Sequence, residues 1–388
     1  MGFSDRPQAL WWRKALFQIH LWFGLFLGAY VILLCLSGSV LVFQQRMMND
    51  APHLGNDQVR CPLSYGDIAA IALKAHPQST LDNIDMRSQN RRVVSIGLQS
   101  HTQTLVVYID SLSGAIVGQE SLQHKHPILV LAENLHNQLA AGARGATFNG
   151  LGGIILFVIS VTGIVLWWPG KKHWKRSLNV KWNARWPRRN WDMHSAFGFW
   201  TFPLLAMWAL SGAYFIFPKP FLRLLSYACP MPAMDQLASN WRPGQPVLPL
   251  DSLLHTAKLL YPQDRVAYIY MDTNRPGGVV KFFLSRDPSQ PLTLEEDVVT
   301  LQPASAQVLA NVSSAHWNLG ERISTSIYSV HFGSFGGLPI EILWSILGLI
   351  PVLLTVTGYW MWWNRVLKKK WAALRASASA ARPLKVRT

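Results

Sequence analysis

Four of the 12 histidines in this chain stand in a repeated setting. His20 is followed by Gly24, Ser37 and Gly38, and His194 by Gly198, Ser211 and Gly212 at the same offsets. His136 precedes Thr162, Gly163, Trp167 and Trp168, and His331 precedes Thr357, Gly358, Trp362 and Trp363, again at matching offsets. The chain reads as an internal duplication in which each unit supplies two helices and two histidines. An ionisable group in or beside an apolar span is costly without a partner or a function. Imidazole is an axial ligand for haem iron, and two imidazoles on facing helices can hold one macrocycle between them.

The elements that must position these residues are membrane spans. Half of the 388 residues are apolar and only 14% are charged, and the apolar residues are gathered into blocks. A hydrocarbon core about 30 Å thick needs about 20 apolar residues in a helix, and 16–43, 151–168, 197–217 and 338–363 qualify. Lys and Arg collect in short segments beside the spans, which marks those segments as cytoplasmic. They include Arg13 and Lys14 at the N-terminus, Lys171, Lys172, Arg188 and Arg189 in the middle, and Arg365, Lys368, Lys369 and Lys370 in the tail. The net charge of +16 is explained by topology and anionic lipid headgroups, so no nucleic-acid partner is expected. The first apolar segment is too long for a signal-peptide core and is expected to remain as an anchor.

The expected organisation is a four-helix transmembrane bundle with two extracytoplasmic α+β domains. A cytoplasmic N-terminus and first span occupy 1–44, a first outer domain 45–147 and the second span 148–168. A basic cytoplasmic loop follows at 169–193, then the third span at 194–217, the second outer domain at 218–337, the fourth span at 338–363 and a basic tail at 364–388. In the first outer domain, 65–75 reads as an amphipathic helix, 92–98 and 104–109 as strands, and 111–114 as a turn. The second offers a helix at 251–260 and strands at 265–271 and 279–284. Cys61 and Cys229, each followed by Pro, are placed either to bridge the outer domains in an oxidising compartment or to remain separate thiols.

Depth suggests which histidines pair. His20 and His194 begin the first and third spans at the cytoplasmic end, whereas His136 and His331 precede the second and fourth spans near the outer face. Gly24 and Gly38 lie near the azimuth of His20 on a helix, as Gly198 and Gly212 do for His194. Such a stripe leaves room for a flat group beside the imidazole. It equally suits close helix packing, for which Gly24 and Gly28 form a GxxxG pattern. The phase argument does not extend to the outer pair, because the glycines at 142, 145, 150, 152 and 153, and at 333, 336 and 337, are expected to interrupt the helices there. Lipid-bonded histidines or a proton path remain alternatives. His126 and His316 are the substitutes if His136 or His331 is not a ligand. The other histidines read as surface groups, the Trp pairs at span ends as an interfacial belt, and Glu295, Glu296 and Asp297 as a solvated turn.

The arrangement resembles the PepSY-associated transmembrane family. The likeness rests on His20 with Gly24 and Ser37-Gly38, Leu135-His136, Thr162-Gly163 running into Trp167-Trp168-Pro169, His194 with Gly198 and Ser211-Gly212, His331, and Thr357-Gly358. Tyr108-Ile109-Asp110 with Ser113-Gly114 is similar to the strand and Asp-x-x-Thr-Gly turn that end a PepSY unit, with Ser113 in place of the Thr. The second outer domain has no clear version of that turn. The best-understood branch of the family, inner-membrane reductases of ferric siderophores such as ferrioxamine, implies two b-type haems per chain on His20, His194, His136 and His331. It also implies electron transfer from a cytoplasmic or quinol donor to ferric iron outside a bacterial inner membrane. The chain has no dinucleotide fingerprint, P-loop, nucleophile elbow or HExxH motif, so any donor is a separate molecule. A non-redox binding scaffold or transport accessory is the rival reading.

Overall fold

The computed structural model describes residues 10–48, 63–86, 92–100, 104–121, 126–229, 239–285, 297–313 and 317–368, together with 52, 54, 370, 371 and 374. Cys61, His53, His101, His124, His316, Glu295 and Glu296 lie outside them, and with them the Cys61–Cys229 bridge and His316 as a substitute ligand. Two compact units emerge, one built from residues 1–39, 133–218 and 343–388 and the other from 40–132 and 219–342.

Among the described residues, four helices are long and apolar enough to cross a membrane: Trp11–Leu41, Gly142–Trp167, Trp186–Ile216 and Ser334–Leu367. The protein is a multi-pass membrane protein. The second and third spans begin earlier than the sequence reading placed them, each for a physical reason. The second helix runs without a break through Gly145, Gly150, Gly152 and Gly153. These glycines are contact surface: a Cβ at Gly152 would lie 2.3 Å from Tyr30 Oη, and one at Gly153 would lie 2.9 Å from the Ala209 carbonyl of the third span. Small residues let backbones approach closely where no water drives helices together. The interruption falls earlier, at Leu139, Ala140 and Gly142, all with positive φ. It separates the span from a helix at Pro127–Gln138 that carries His136.

The third helix begins at Trp186 with a proline in its first turn, a position where the missing N–H costs nothing. His194 therefore sits about two turns inside the helix rather than at its start. The buried Asp192 keeps the added turns supplied with partners, accepting from Arg188 Nε at 2.9 Å and from the Lys181 backbone. Before the fourth span, the expected break is present: Gly333 ends the helix Leu319–Phe332 in the left-handed region (φ 71°), and Gly337 also has positive φ. Within the span, Gly337–Gly348 gives way to Ile350–Trp362, with Pro351 in the first turn of the latter.

The second unit holds one eight-stranded antiparallel sheet. Its strands are β1 (Thr80–Asp85), β2 (Val93–Gln99), β3 (Thr104–Asp110), β4 (Ile116–Ser121), β5 (Arg265–Asp272), β6 (Val279–Ser285), β7 (Asp297–Leu301) and β8 (Val308–Val312). The order β4-β3-β2-β1-β5-β6-β7-β8 is two four-stranded meanders joined edge to edge. The seam pairs Asn83 with Tyr270, Ile84 with Ile269 and Asp85 with Tyr268, so the segment between the first two spans and the segment between the last two share one sheet. Alternating side chains cover one face with helices Tyr65–Ala75 and Leu250–Leu260, whose Ile68, Ala72, Leu253 and Ala257 are buried against Ile84, Ile96, Ile269 and Phe282. Asp251 ties the helix starts together, accepting from Ser64 Oγ at 2.8 Å and from the Gly66 N–H.

Each meander has a turn stitched by one side chain. After β3, Asp110 accepts from Arg92, Ser113 Oγ and the Leu112 N–H, and Gly114 takes positive φ. After β7, Gln302 Oε1 accepts from Ser305 Oγ and the N–H groups of Ala304 and Ser305, with Ala306 at φ 56°. The backbone bonds match as well: Asp110 N–H to Ala115 O and Gln302 N–H to Gln307 O. The second turn is thus present, hidden in the sequence by Gln for Asp and Ala for Gly.

The hydrogen bond from Arg92 holds the Asp110 carboxyl well below the usual range, so its contribution is present above the unfolded-state value and is lost as pH falls through the folded-state one. Asp110→Asn lowers the stability of the sheet unit by roughly 2 kcal/mol at neutral pH. Thermal melts across an acid series check this, and the gap between variant and wild type closes in strong acid.

Candidate functional site

The histidines of the span unit are held by one recurring arrangement. His20, in the first span, places Nδ1 3.1 Å from the Ile159 carbonyl and 3.2 Å from Thr162 Oγ1 of the second span. His194, in the third, places Nδ1 3.0 Å from both the Leu354 carbonyl and Thr357 Oγ1 of the fourth. His136 reaches back to the first span, with Nδ1 3.0 Å from the Leu34 carbonyl and 3.3 Å from Ser37 Oγ. In each case the acceptors are a carbonyl and a hydroxyl three residues further along the same helix, which the helical period places side by side.

The tautomer follows from the hydroxyls. Thr162 Oγ1 donates to Ile159 O, Thr357 Oγ1 to Leu353 O and Leu354 O, and Ser37 Oγ to Leu33 O and Leu34 O. Their protons are committed to the helix backbone, so toward the imidazole they can only accept, as the carbonyls do. Each Nδ1 is therefore the N–H donor, and a neutral ring keeps its lone pair on Nε2. For His20 and His194, Nε2 has no hydrogen-bond partner among the described residues.

The glycine after each hydroxyl makes room for the ring. A Cβ at Gly163 would lie 3.1 Å from His20 Cε1, one at Gly358 3.4 Å from His194 Cε1, and one at Gly38 2.8 Å from His136 Cε1. The repeated Thr-Gly and Ser-Gly pairs are thus clasps for imidazoles on partner helices. This revises the sequence reading of Gly38, which was expected to extend a groove along the face of His20 and instead receives the ring of His136. Gly24 and Gly198 do border open space: nothing lies within 4 Å of a Cβ at Gly24, and only Leu354 Cδ2, at 3.9 Å, approaches one at Gly198. Gly28 is filled by the ring of Tyr359, whose hydroxyl donates to Leu25 O at 2.7 Å. Packing and open space therefore alternate along the first span.

His20 and His194 come together, with ring centroids 6.3 Å apart and planes at 90°. His136 is tied to the far end of the first span, 14 residues from His20 at Leu34 and thus about 21 Å along the helix. His331 lies on the helix Leu319–Phe332, in the other compact unit, beside the ring of Phe332. Gly212 lies within the third span. His126 keeps a buried Nε2 with no partner among the described residues. Trp241 is core, its Nε1 donating to Thr273 O. No group of three or more His, Cys, Asp or Glu suited to a metal ion occurs among the described residues.

Residues 17–365 match the family model described as the PepSY-associated TM region. The chain belongs to this family. No curated protein matches it. In this PepSY-associated membrane protein, sequence reasoning located the histidines and the residues of their clasps but not what the clasps do; the missing signal was that a hydroxyl precedes each glycine. It also missed Arg13, read only as a flanking charge. Its guanidinium donates to Val165 O and Leu166 O, capping the end of the second span and offsetting the helix dipole there.

Gly38→Ala forces the His136 imidazole to shift and lowers the detergent-solubilised stability of the span unit by about 1–3 kcal/mol, whereas Gly24→Ala costs nothing. Thermal unfolding of the two variants side by side reads the difference.

Proposed function

We propose that the protein is a transmembrane b-type haem electron carrier that reduces ferric iron, delivered as a ferric siderophore or similar chelate, at the outer face of a bacterial inner membrane. The observation that carries this reading is the His20–His194 pair. Two metal–imidazole bonds of about 2 Å, with roughly 1.2 Å from each nitrogen to its ring centre, put ring centroids about 6.4 Å apart on either side of one metal. The rings stand at 6.3 Å. Both Nδ1 edges are tied back to neighbouring helices, the tautomer leaves Nε2 bare, and Gly24 and Gly198, one turn after each histidine, border open space. The residues present therefore fit a bis-histidine haem.

A haem held there supplies one-electron transfer at a fixed depth. The matching sequence offsets assign His136, clasped by Leu34 and Ser37, and its repeat counterpart His331 to a second haem. By the distribution of Lys and Arg the first pair is cytoplasmic, as are both termini, and the donor is a cytoplasmic reductant or a quinol. The role of the chain is to hold the His20, His194 and His136 imidazoles in the ligating tautomer. No general acid, base or nucleophile is required. The substrate iron gains one electron and leaves as Fe(II), which hard oxygen donors retain less well than Fe(III).

Detergent-purified protein made with ample haem is expected to give a low-spin b-type difference spectrum between dithionite-reduced and oxidised states, with two haems per chain by pyridine haemochrome. His20→Ala and His194→Ala lose one haem in common, and His136→Ala and His331→Ala the other. Gly24→Leu and Gly198→Leu fill the open space and lose the first haem alone. Protein that folds without haem would refute the electron-transfer reading and leave a membrane-anchored binding scaffold.

A further inference from the structure

We infer that Thr162 and Thr357 are positioning residues that set the angle between the His20 and His194 imidazoles, holding them crossed at right angles over one iron. The inference rests on the haem reading above and adds a property of the site that ligand identity alone does not determine. An axial imidazole is free to rotate about its bond to the metal, and a single acceptor at Nδ1 restrains that rotation loosely. Here each Nδ1 faces two acceptors on one helix, Ile159 O with Thr162 Oγ1 and Leu354 O with Thr357 Oγ1. The adjacent Gly163 and Gly358 receive the Cε1 edge. The two clasps lie on different helices, and the ring planes stand at 90°.

The angle has an electronic consequence. Each imidazole donates π density perpendicular to its plane into one of two iron dπ orbitals. Parallel rings raise the same orbital and split the pair, giving a rhombic low-spin ferric spectrum. Crossed rings raise both orbitals alike and leave them nearly degenerate, giving a strongly anisotropic signal dominated by one low-field feature. A second effect accompanies the first: hydrogen bonding at Nδ1 raises the basicity of the coordinating nitrogen, which favours Fe(III) and lowers the reduction potential.

The test is low-temperature electron paramagnetic resonance and redox titration of the oxidised, haem-loaded full chain. Wild type is expected to show the strongly anisotropic low-field signal, retained in His136→Ala and lost in His20→Ala. Thr162→Val and Thr357→Val move intensity from that signal into a rhombic one and raise the midpoint potential of the same haem, while Thr162→Ser and Thr357→Ser restore both. The wild-type spectrum needs no substitution, so it tests the crossing even if a variant fails to fold. Rhombic signals alone in haem-loaded wild type, or Thr→Val variants with unchanged spectrum and potential, overturn the inference and leave the haem reading intact. Absence of haem overturns both.

Discussion

Each clasped histidine of the span unit depends on one local arrangement, an Nδ1–H shared between a helix carbonyl and the hydroxyl three residues later. A carbonyl in a membrane helix normally serves one N–H from its own helix, and a Ser or Thr hydroxyl folds back on the same backbone. In this protein that back-bonding has a purpose: it consumes the hydroxyl proton, leaves a lone pair outward and so accepts an N–H from the next helix. Interhelical hydrogen bonds of this kind hold apolar helices that gain little from hydrophobic burial against lipid. The same bond settles which ring nitrogen carries the proton, so helix packing and imidazole chemistry have a single cause. His20 binds the first span to the second, His194 the third to the fourth, and His136 is bound to the first span in turn.

The glycines divide along the same lines. Gly163, Gly358 and Gly38 are required by rings, Gly28, Gly152 and Gly153 by the approach of neighbouring side chains and backbone, and Gly24 and Gly198 by neither. These two need an explanation other than packing, since a Cβ would meet nothing within 4 Å at Gly24 and only Leu354 Cδ2, at 3.9 Å, at Gly198. In the proposed reading, that explanation is a flat cofactor beside the imidazole. The sheet unit follows a separate logic, with two meanders sharing a seam at β1 and β5 and burying their helices against one continuous core.

Much of this was legible in the sequence. The helix Tyr65–Ala75 and strands β2, β3, β5 and β6 stand within about two residues of the bounds read from periodicity, because alternating Val, Ile and Leu on a half-buried strand leave a plain signal. Strands β1, β4, β7 and β8 were not read, since Thr80–Asp85 and Ile116–Ser121 carry Asp, Asn, Gln and Gly where a strand would show apolar alternation. Hydrogen-bonded pairing with neighbouring strands, which a single segment does not encode, overrides that composition. The glycine run of the second span was misread as a break because propensity in water says little about a helix whose backbone has no water to bond with. For the site, identical offsets exposed the histidines, but the meeting of His20 with His194 depends on how four helices pack, and only their shared depth was visible beforehand.

In the proposed reading, His20 and His194 face one another across a single iron. Anomalous diffraction at the iron edge from crystals of protein produced with ample haem tests it most directly. An anomalous peak is expected midway between the two imidazoles, on the Nε2 side of each, with the Nδ1 bonds to Ile159, Thr162, Leu354 and Thr357 retained. A haem-loaded crystal with no iron between those rings, or with His20 and His194 ligating different irons, would contradict it.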